Sequence, residues 1–597
     1  MKKLSLLKSL PLLLGLAFGV ASVSAYAAPP PPPGGGPPAP PDGGPPAAPD
    51  GGPPAPPGDD GPPLPPGQED GPPTAPGATG APSAEQNQAE EAYKAENYEA
   101  ASLTFYKVAY DGQAGDATRA QFWLGKTLFQ LGFYAGSLAV FDEIVAVGPG
   151  HPYHQLTLPW LASLSRKLPE GAGVLEKVGS YQARDLENEA FDSVRDELYF
   201  LLGRYHYRNG DLGQAIALLS QVPRESDYFI PAQYFLGVSE TREWHGPEAV
   251  EAFKNVLRKN IELRDFQGKK NNRTAKKLAR MSDKKKRRLG ISTAELDFVD
   301  QNKRFEELAN IALGYIFYQV GRFPTALKYF NKVSIESPYW LDSVFAASWS
   351  EFRLVEVEPE NANRHYQRTL GYIHTLNAPF FYDYLYPEGL ILKAVTYYFN
   401  CRYASAKAAI EEFSSRYVQT KQDLTDLLAN EPEDYGLFEL TVKIREGSSD
   451  LEPFVEMVAR KSLQDKTLEK YYDYVNRLQY EEEVLFKEQS NAFQSSGLGE
   501  LLLENIDLSM SIAKERTGAQ ARQRITAQVA DIKKLEIEAI KVEYEIVEKL
   551  KKLGSEGTSA EVKIKPGSEE ERYNYNGEYW QDELGYYYYR VTSVCAE

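Results

Sequence analysis

The chain has 597 residues and a formal net charge of −18, with 66 Lys or Arg against 84 Asp or Glu. This acidity argues against general affinity for nucleic acid, because a protein that binds the phosphate backbone needs a basic surface. The aromatic residues include 39 Tyr, which suits packed helices because the ring can be buried while the hydroxyl reaches a polar partner.

The N-terminus has the pattern of a signal peptide. A basic start is followed by an apolar stretch over residues 10–20 and by Ala25-Tyr26-Ala27, the small-x-small pattern of a cleavage site. The sequence therefore predicts an exported, periplasmic protein cleaved after Ala27, with an uncleaved anchor as the alternative. A lipid anchor is not expected because the first cysteine is Cys401, and no later stretch is long and apolar enough for a membrane span.

Residues 28–83 form a linker made almost entirely of Pro, Gly, Ala and Asp. Such a composition offers no apolar surface to bury and cannot offset the entropy of ordering the chain. The segment is predicted to be a disordered tether. Two interpretations stay open: a spacer that holds the folded part away from something bound at the N-terminus, or a simple disordered leader.

From residue 84 the chain shows helical periodicity with an internal repeat. Each unit places a small residue in a first helix, helix A, a second small residue twelve positions later in helix B, and a large apolar residue four positions further on. The small residues allow the two helices to approach closely, and the large one fills the space between them. The six units are Ala89/Ala101/Phe105, Gly125/Ser137/Phe141, Gly203/Ala215/Leu219, Gly237/Ala249/Phe253, Gly314/Ala326/Phe330 and Ala394/Ala406/Ile410.

Two longer gaps interrupt the series. Each has room for one further, degenerate helix pair, around residues 160–178 and 345–376. Eight hairpin units are therefore expected.

These units resemble the tetratricopeptide repeat (TPR) superfamily over about residues 85–415, which implies an all-α, TPR-like helical-hairpin solenoid. Three segments, VSIESPYWLDSVFAASWSEF, PFFYDYLYPEGLILKAVTYYFNCRYASA and EYWQDELGYYYYRVTSVC, more narrowly resemble exported TPR proteins of delta-proteobacterial cell envelopes, some of the adventurous gliding-motility type. The resemblance implies a non-enzymatic periplasmic scaffold without a cofactor, and it transfers no catalytic residues.

In a stacked array, the inner helices line an elongated groove that receives a peptide or a helix of a partner. Candidate groove residues lie about one turn from the small residue of helix A. The alternative for each is that it packs against the next repeat. They are Lys126, Gln130, Arg204, Tyr207, Tyr315 and Tyr318.

A basic insertion separates the two parts of the array. Residues 254–288 contain 15 Lys or Arg and 3 acidic residues. The segment is a candidate patch for an anionic partner such as phospholipid headgroups, an acidic protein or a wall polymer, and the alternative is a solvated helical insertion. The patch consists of Lys269, Lys270, Lys276, Lys277, Lys284, Lys285, Lys286, Arg287 and Arg288.

Long helices are predicted after the last repeat. Residues 497–553 contain no proline, only Gly518 interrupts the run beyond Gly499, and an apolar stripe runs through Ile525, Ile532 and Ile546. Glu536 and Glu543 spoil a strict heptad, so an amphipathic helix that docks on the array is favoured over an intermolecular coiled coil.

The final aromatic segment is too apolar for a frayed end and is expected to dock. Cys401 and Cys595 are the only cysteines, and an even count in an exported protein permits one disulfide. We expect them to pair, with two buried thiols as the alternative. The expected organisation is a signal peptide (1–27), linker (28–83), first part of the array (84–253), basic insertion (254–296), second part (297–416), helical region (417–554) and aromatic docking tail (555–597).

Catalytic motifs are absent from the sequence, including HExxH, GxSxG and phosphate-binding loops. His151 and His154 are the nearest approach to a metal pair, but no carboxylate or cysteine accompanies them in sequence, so no metal site is expected. The resemblance to exported envelope proteins favours, as the function, a scaffold for other envelope proteins in a gliding-motility-like complex. A TPR coordinator of cell-wall synthesis or cell division is the alternative.

Overall fold

The computed structural model describes residues 82–111, 114–188, 191–279, 297–381, 384–553, 568, 571–572 and 575–595. Regular secondary structure in these residues is helical, and they contain no β-strand. The predicted all-α helical-hairpin fold is confirmed. The predicted signal peptide and almost all of the predicted linker lie outside the described residues.

The helices of the first part of the array precede residues 280–296. They are α1 (Ala84–Lys94), α2 (Tyr98–Asp111), α3 (Ala114–Leu131), α4 (Tyr134–Val147), α5 (His154–Lys167), α6 (Val174–Val178), α7 (Arg195–Arg208), α8 (Leu212–Leu219), α9 (Phe229–Arg242) and α10 (Gly246–Ala279).

The remaining helices follow those residues. They are α11 (Asp297–Gln319), α12 (Phe323–Phe330), α13 (Trp340–Leu354), α14 (Ala362–Leu376), α15 (Pro387–Phe399), α16 (Tyr403–Asn430), α17 (Asp434–Glu446), α18 (Pro453–Leu463), α19 (Lys466–Tyr480), α20 (Phe486–Glu488), α21 (Asn491–Gln494) and α22 (Gly497–Leu553).

The chain forms two compact units. The N-terminal unit consists of Pro49–Phe305 together with Asp465–Gln520, and the C-terminal unit contains Glu306–Gln464 together with Ala521–Glu597. Each unit thus combines part of the repeat array with a later segment of the chain. The sequence boundaries at 253/254 and 416/417 fall inside the continuous helices α10 and α16.

The six hairpins read from the sequence share one backbone register. In each, the residue seven positions after the small helix A residue adopts a positive φ in the turn to helix B. The position is glycine in three hairpins, Gly132, Gly210 and Gly321, and another residue in the others, Glu96 (φ 60°), Trp244 (φ 63°) and Cys401 (φ 57°). Because a left-handed residue ends one helix and redirects the chain, this shared position fixes the same A-to-B turn in all six units.

Close helix contact explains why glycine occupies helix A in four hairpins. A Cβ at Gly125 would lie 2.5 Å from the ring of Phe141, and one at Gly314 would lie 2.4 Å from the ring of Phe330. Gly203 faces Leu219 and Gly237 faces Phe253 in the same way. The predicted packing of small against large residues, sixteen positions apart, is therefore confirmed at these four units.

Helix pairs also occupy both gaps in the sequence series. The first gap contains α5 and the five-residue α6, and the second contains α13 and α14. The first pair deviates strongly from the pattern because its second helix is so short, which explains why the repeat motif is hard to recognise there.

A later segment of the chain packs on the array of the N-terminal unit. Phe493 stacks on Phe133 with ring centroids 5.9 Å apart, and a Cβ at Gly136 would lie 2.5 Å from the Leu502 side chain. Leu502 belongs to α22, which continues without interruption through Gly518. Gly518 therefore does not break the helix, because hydrogen bonding and packing on both sides outweigh the cost of about 1 kcal/mol for one glycine.

The second half of α22 packs within the C-terminal unit. Ile525, Ile532 and Ile546 are fully buried. The Arg522 guanidinium contacts the Asp434 carboxylate at 2.6 Å, and Tyr398 donates its hydroxyl proton to Glu545 at 3.3 Å. This part of the helix therefore docks its apolar face on its own chain, as favoured from the sequence.

Candidate protein-binding surfaces

Lys126 lies on the helix A face of the second hairpin, inside a set of aromatic rings. Its Nζ is 3.6 Å from the ring centroid of Trp123, 5.3 Å from that of Tyr93 and 5.5 Å from that of Trp160. The side chain is only 5% exposed. Burial lowers the pKa of Lys126 to about 7, and the nearby Glu90 carboxylate partly opposes this effect. The ammonium group is therefore surrounded by aromatic rings, which it contacts through cation–π interactions in place of water.

Gln130 lies one turn further along the same helix and is the most accessible of the six candidate groove residues. Its exposure is intermediate, and its side-chain amide donates to the Tyr93 hydroxyl at 3.4 Å. The contact joins helix A of the second hairpin to helix A of the first. The side chain of Gln130 is thus accessible enough to contact a bound segment of a partner.

Arg204 is buried and forms a salt bridge within the N-terminal unit. Its guanidinium pairs with the Glu170 carboxylate, which also accepts a hydrogen bond from Lys470 Nζ on α19 at 2.7 Å. Burial alone would raise the pKa of Glu170, but the two cations lower it to about 2. Arg204 therefore connects helix A of its hairpin to the later segment of the chain.

The three candidate tyrosines are also buried. Tyr207 packs edge-on against Phe235 at 5.4 Å, Tyr315 against Phe330 at 5.2 Å and Tyr318 against Phe323 at 5.3 Å. Burial raises the pKa of Tyr315 well above its ordinary value. Each ring contacts a residue of its own or the following repeat. These contacts agree with the alternative that the three tyrosines pack between helices.

The basic insertion begins as a continuation of α10. Lys269, Lys270, Lys276 and Lys277 lie within this helix, but their side chains are outside the described residues. The positions Lys284, Lys285, Lys286, Arg287 and Arg288 lie outside them altogether.

The last part of the aromatic tail, residues 587–595, docks on the C-terminal unit without regular secondary structure. The backbone N–H of Tyr589 donates to the Gln367 carbonyl at 2.9 Å, and the Gln367 side-chain amide donates to the Val591 carbonyl at 2.7 Å. Further along, the Val594 N–H donates to the Asn400 carbonyl at 3.1 Å. The tail is therefore held by its backbone along α14 and at the end of α15.

A ring cluster around His374 anchors the start of the docked tail. Tyr579 stacks on the imidazole at 4.5 Å, while Tyr575 and Tyr587 approach it edge-on at 4.8 and 5.1 Å. Burial lowers the pKa of His374 to about 4, with a further contribution from Lys393. The imidazole is therefore neutral at physiological pH and serves as an aromatic packing surface.

The end of the tail is joined covalently to the last of the six hairpins. Cys595 forms a disulfide with Cys401 across a sequence separation of 194 residues, with the two Cα atoms 5.1 Å apart. Cys401 is the left-handed turn residue between α15 and α16. The bond fixes the tail to a turn that two packed helices hold rigidly.

No group of three His, Cys, Asp or Glu side chains in the described part of the chain is arranged to hold a metal ion. His151 and His154 are both buried, and His154 stacks on Tyr181 at 4.4 Å. Among the described helices, none combines the length and apolar character that crossing a membrane requires.

Part of the chain is similar to a known protein family. Residues 87–152 match the family model described as tetratricopeptide repeat. This stretch carries tetratricopeptide repeats. It covers the hairpins α1/α2 and α3/α4, which include Lys126 and Gln130. The other hairpins repeat the spacing and the turn conformation of these two.

Two solved structures are similar to this chain. The apo form of RapI has 9% identity and a TM-score of 0.26, and the alignment covers 67% of this chain and 98% of that one. The Cut9–Hcn1 hetero-tetramer of APC/C has 13% identity and a TM-score of 0.21, covering 78% and 96% respectively. No curated protein matches the chain.

Apart from the paired cysteines, the sequence pattern did not indicate the residues that hold the tail and the later segment in place. The tail-docking face of α14 consists of Gln367, Gly371 and His374. Glu481 accepts a hydrogen bond from the backbone N–H of Ala135, which lies 346 positions earlier in the sequence. A glycine in the middle of a helix, as at Gly371, is the one local signal that could have indicated a close approach.

Proposed function

We propose that the protein is a non-enzymatic, exported scaffold that binds other cell-envelope proteins through its tetratricopeptide hairpins. The observation that carries this proposal is the shared register of six hairpins, two of which lie in the stretch that matches the tetratricopeptide repeat model. Within one unit, stacked hairpins present a row of helix A side chains, which suits an extended or helical segment of a partner.

Two features support export to the periplasm. The N-terminus combines a basic start, an apolar stretch and a small-x-small cleavage pattern. The paired cysteines Cys401 and Cys595 suit an oxidising compartment, because cytosolic reductants keep thiols reduced. Fractionation of cells that express the full chain tests this part, and a product confined to the cytoplasm with its N-terminus intact would contradict it.

We place the accessible part of the binding surface at Gln130, on helix A of the second hairpin. Lys126 lies one turn away on the same helix, and its conversion between charged and neutral forms near neutral pH would make affinity for an acidic segment depend on pH. Arg204, Tyr207, Tyr315 and Tyr318 contribute packing that supports the helix A face. The partner is a protein segment that lies across the first hairpins.

Photo-crosslinking in living cells tests this surface. A photoreactive amino acid at position 130 is expected to capture envelope proteins, whereas the same residue at Lys107, an exposed position on helix B, is the matched control. Equal capture at both positions, or none at position 130, would contradict binding through the helix A face.

The resemblance of three segments to exported proteins of the gliding-motility type favours a motility complex in the envelope. Deletion of the gene is expected to abolish gliding of single cells and leave cell length unchanged. Filamentous or lysing cells with normal gliding would instead favour the alternative role, coordination of cell-wall synthesis or division.

The basic insertion is proposed to contact an anionic partner. Replacing Lys284, Lys285, Lys286, Arg287 and Arg288 by glutamine is expected to weaken binding to vesicles that contain anionic phospholipid, and the loss should be greatest at low salt. Unchanged binding would favour the alternative, in which the charges of the insertion are only solvated.

A further inference from the structure

Several aromatic rings of the docked tail remain partly exposed to solvent. Tyr586 is 68% exposed, Tyr575 48% and Trp580 43%. Three exposed carboxylate side chains lie between these rings in the sequence. We define the tail rim as Tyr575, Glu578, Trp580, Asp582, Glu583 and Tyr586.

The opposite side of the same segment is firmly anchored. Leu584 and Tyr587 are buried with Ala378, and Trp340 and Phe381 pack around them. Gly585 has a φ of +86°, and its N–H donates to the Thr375 hydroxyl at 3.0 Å. The turn therefore points Leu584 and Tyr587 inward and leaves Tyr586 outward. A rim fixed in this way loses little conformational entropy when it binds a partner.

Exposed Tyr and Trp side chains on a rigid support are the residues that dominate binding energy at protein interfaces. Here they alternate with Glu578, Asp582 and Glu583, so the rim combines aromatic faces with negative charge. A carboxylate attracts a cation, and an aromatic face attracts the same cation through its quadrupole. The two kinds of group thus favour one class of ligand, a cationic side chain.

The same unit already uses tail and neighbouring rings in this way. The Arg368 guanidinium lies 5.0 Å from the ring centroid of Tyr588 and that of Arg364 lies 5.9 Å from it. Lys461 Nζ lies 4.3 Å from the ring centroid of Tyr384. Two tyrosines of this unit, one of them in the tail, thus already hold cations by cation–π contact.

We propose that the tail rim binds an arginine-bearing segment of another protein. Arginine is favoured over lysine because its planar guanidinium can stack on a ring while it donates two hydrogen bonds to a carboxylate, whereas an ammonium group is a strongly hydrated point charge. This surface is separate from the helix A face, and it gives the scaffold a second docking site with a different chemistry.

Binding of labelled octa-arginine to the full mature chain, followed by fluorescence anisotropy at about 0.15 M salt, tests the proposal. The double variant Trp580→Ala/Tyr586→Ala should lose about tenfold in affinity, as should the charge variant Glu578→Gln/Asp582→Asn/Glu583→Gln. Tyr544→Ala, which removes a ring that is 70% exposed on α22, is the matched control and should leave affinity unchanged.

Octa-lysine serves as a charge-matched probe and should bind more weakly than octa-arginine. Equal affinity for the two peptides, or full affinity in the Trp580→Ala/Tyr586→Ala variant, would overturn the proposal in favour of plain charge attraction. Binding of soluble glycan-strand fragments to the tail rim, without binding of octa-arginine, would also overturn the proposal. Protection of the tail from protease in each variant confirms that the rim is still docked, and crosslinking at position 130 reports on the helix A face independently.

Discussion

The carbonyl oxygen of Tyr587 lies so close to Gly371 that a Cβ on this glycine would be 1.7 Å from it. The backbone of the tail thus passes directly over α14 at the one helix position without a side chain. Hydrogen bonds to Gln367 and Thr375 flank this crossing on either side. Gly371 therefore makes the tail a packed part of the C-terminal unit.

Replacing Gly371 by alanine is expected to displace the tail. The added methyl group cannot be accommodated by a side-chain rotation, because it meets backbone atoms, and overpacking of this kind costs about 1–3 kcal/mol. Hydrogen exchange should accelerate at the amides of Gly585 and Tyr589, and the thermal midpoint should fall.

Gly389→Ala is the matched control, because Gly389 lies in α15 of the same unit with no atom within 4 Å of an added Cβ. It should be neutral or stabilising by up to about 1 kcal/mol, from helix propensity alone. An unchanged exchange pattern in Gly371→Ala would contradict the described crossing.

Trp244→Gly is expected to stabilise the N-terminal unit by about 1 kcal/mol. Trp244 adopts a φ of 63° at the turn position that is glycine in three other hairpins, and its side chain is 60% exposed. Glycine adopts this conformation without the steric cost that a Cβ brings, and the side chain that is removed is more exposed than buried. Thermal unfolding measures the change.

Gly210→Ala supplies the reverse test at the equivalent turn. Gly210 has a φ of 80° and open space around an added Cβ, so only the backbone conformation opposes the substitution. It should destabilise by about 1 kcal/mol. If both variants shift the midpoint in the same direction, the shared turn conformation is not what governs stability there.

Glu481 gives the N-terminal unit a pH-dependent stability. Its fully buried carboxylate accepts the backbone N–H of Ala135 at 3.2 Å and pairs with Arg477 at 3.1 Å. Burial raises its pKa from 4.5 to about 7, although Arg477 opposes the shift. The folded state therefore retains a proton that the unfolded chain releases, so the contribution of Glu481 to stability is greatest below about pH 4.5 and declines as pH rises towards 7.

Glu481→Gln should remove this decline, because the amide still accepts the N–H of Ala135 but cannot ionise. The difference in free energy of unfolding between variant and wild type should shift in favour of the variant between pH 5 and 8, by up to about 3 kcal/mol. Urea unfolding at several pH values measures it. Glu488→Gln, an exposed change in the same segment, should show no such trend.

Removing the disulfide should loosen the tail without unfolding the hairpins. Cys401 and Cys595 are separated by 194 residues, and closing so long a loop contributes about 5 kcal/mol in the chain-entropy account. Cys595→Ala is therefore expected to lower stability by up to this amount and to expose residues 585–595 to protease. Alkylation of two thiols in the unreduced, folded wild-type protein would show that the bond does not form.

The local pattern was sufficient to predict the hairpins, because their packing depends on residues close in sequence. The spacing of Gly125, Ser137 and Phe141 is a contact rule within one unit, and the structure places Phe141 against Gly125 while Ser137 donates to the Gly125 carbonyl at 2.8 Å. The same reasoning could not decide whether Arg204 lines a groove or packs, since its partner Glu170 lies 34 residues away and pairs in turn with the distant Lys470.

The sequence by itself determined the repeat architecture, the small-to-large packing of each hairpin and the apolar face of α22, because periodicity and residue size encode them locally. Only the tertiary structure decided where distant segments meet: Tyr587 over Gly371, Glu481 at the start of α4, and the rim that Tyr586 exposes. These contacts depend on how the chain returns to its own array, and a backbone crossing or a buried carboxylate has no periodic pattern to indicate its partner.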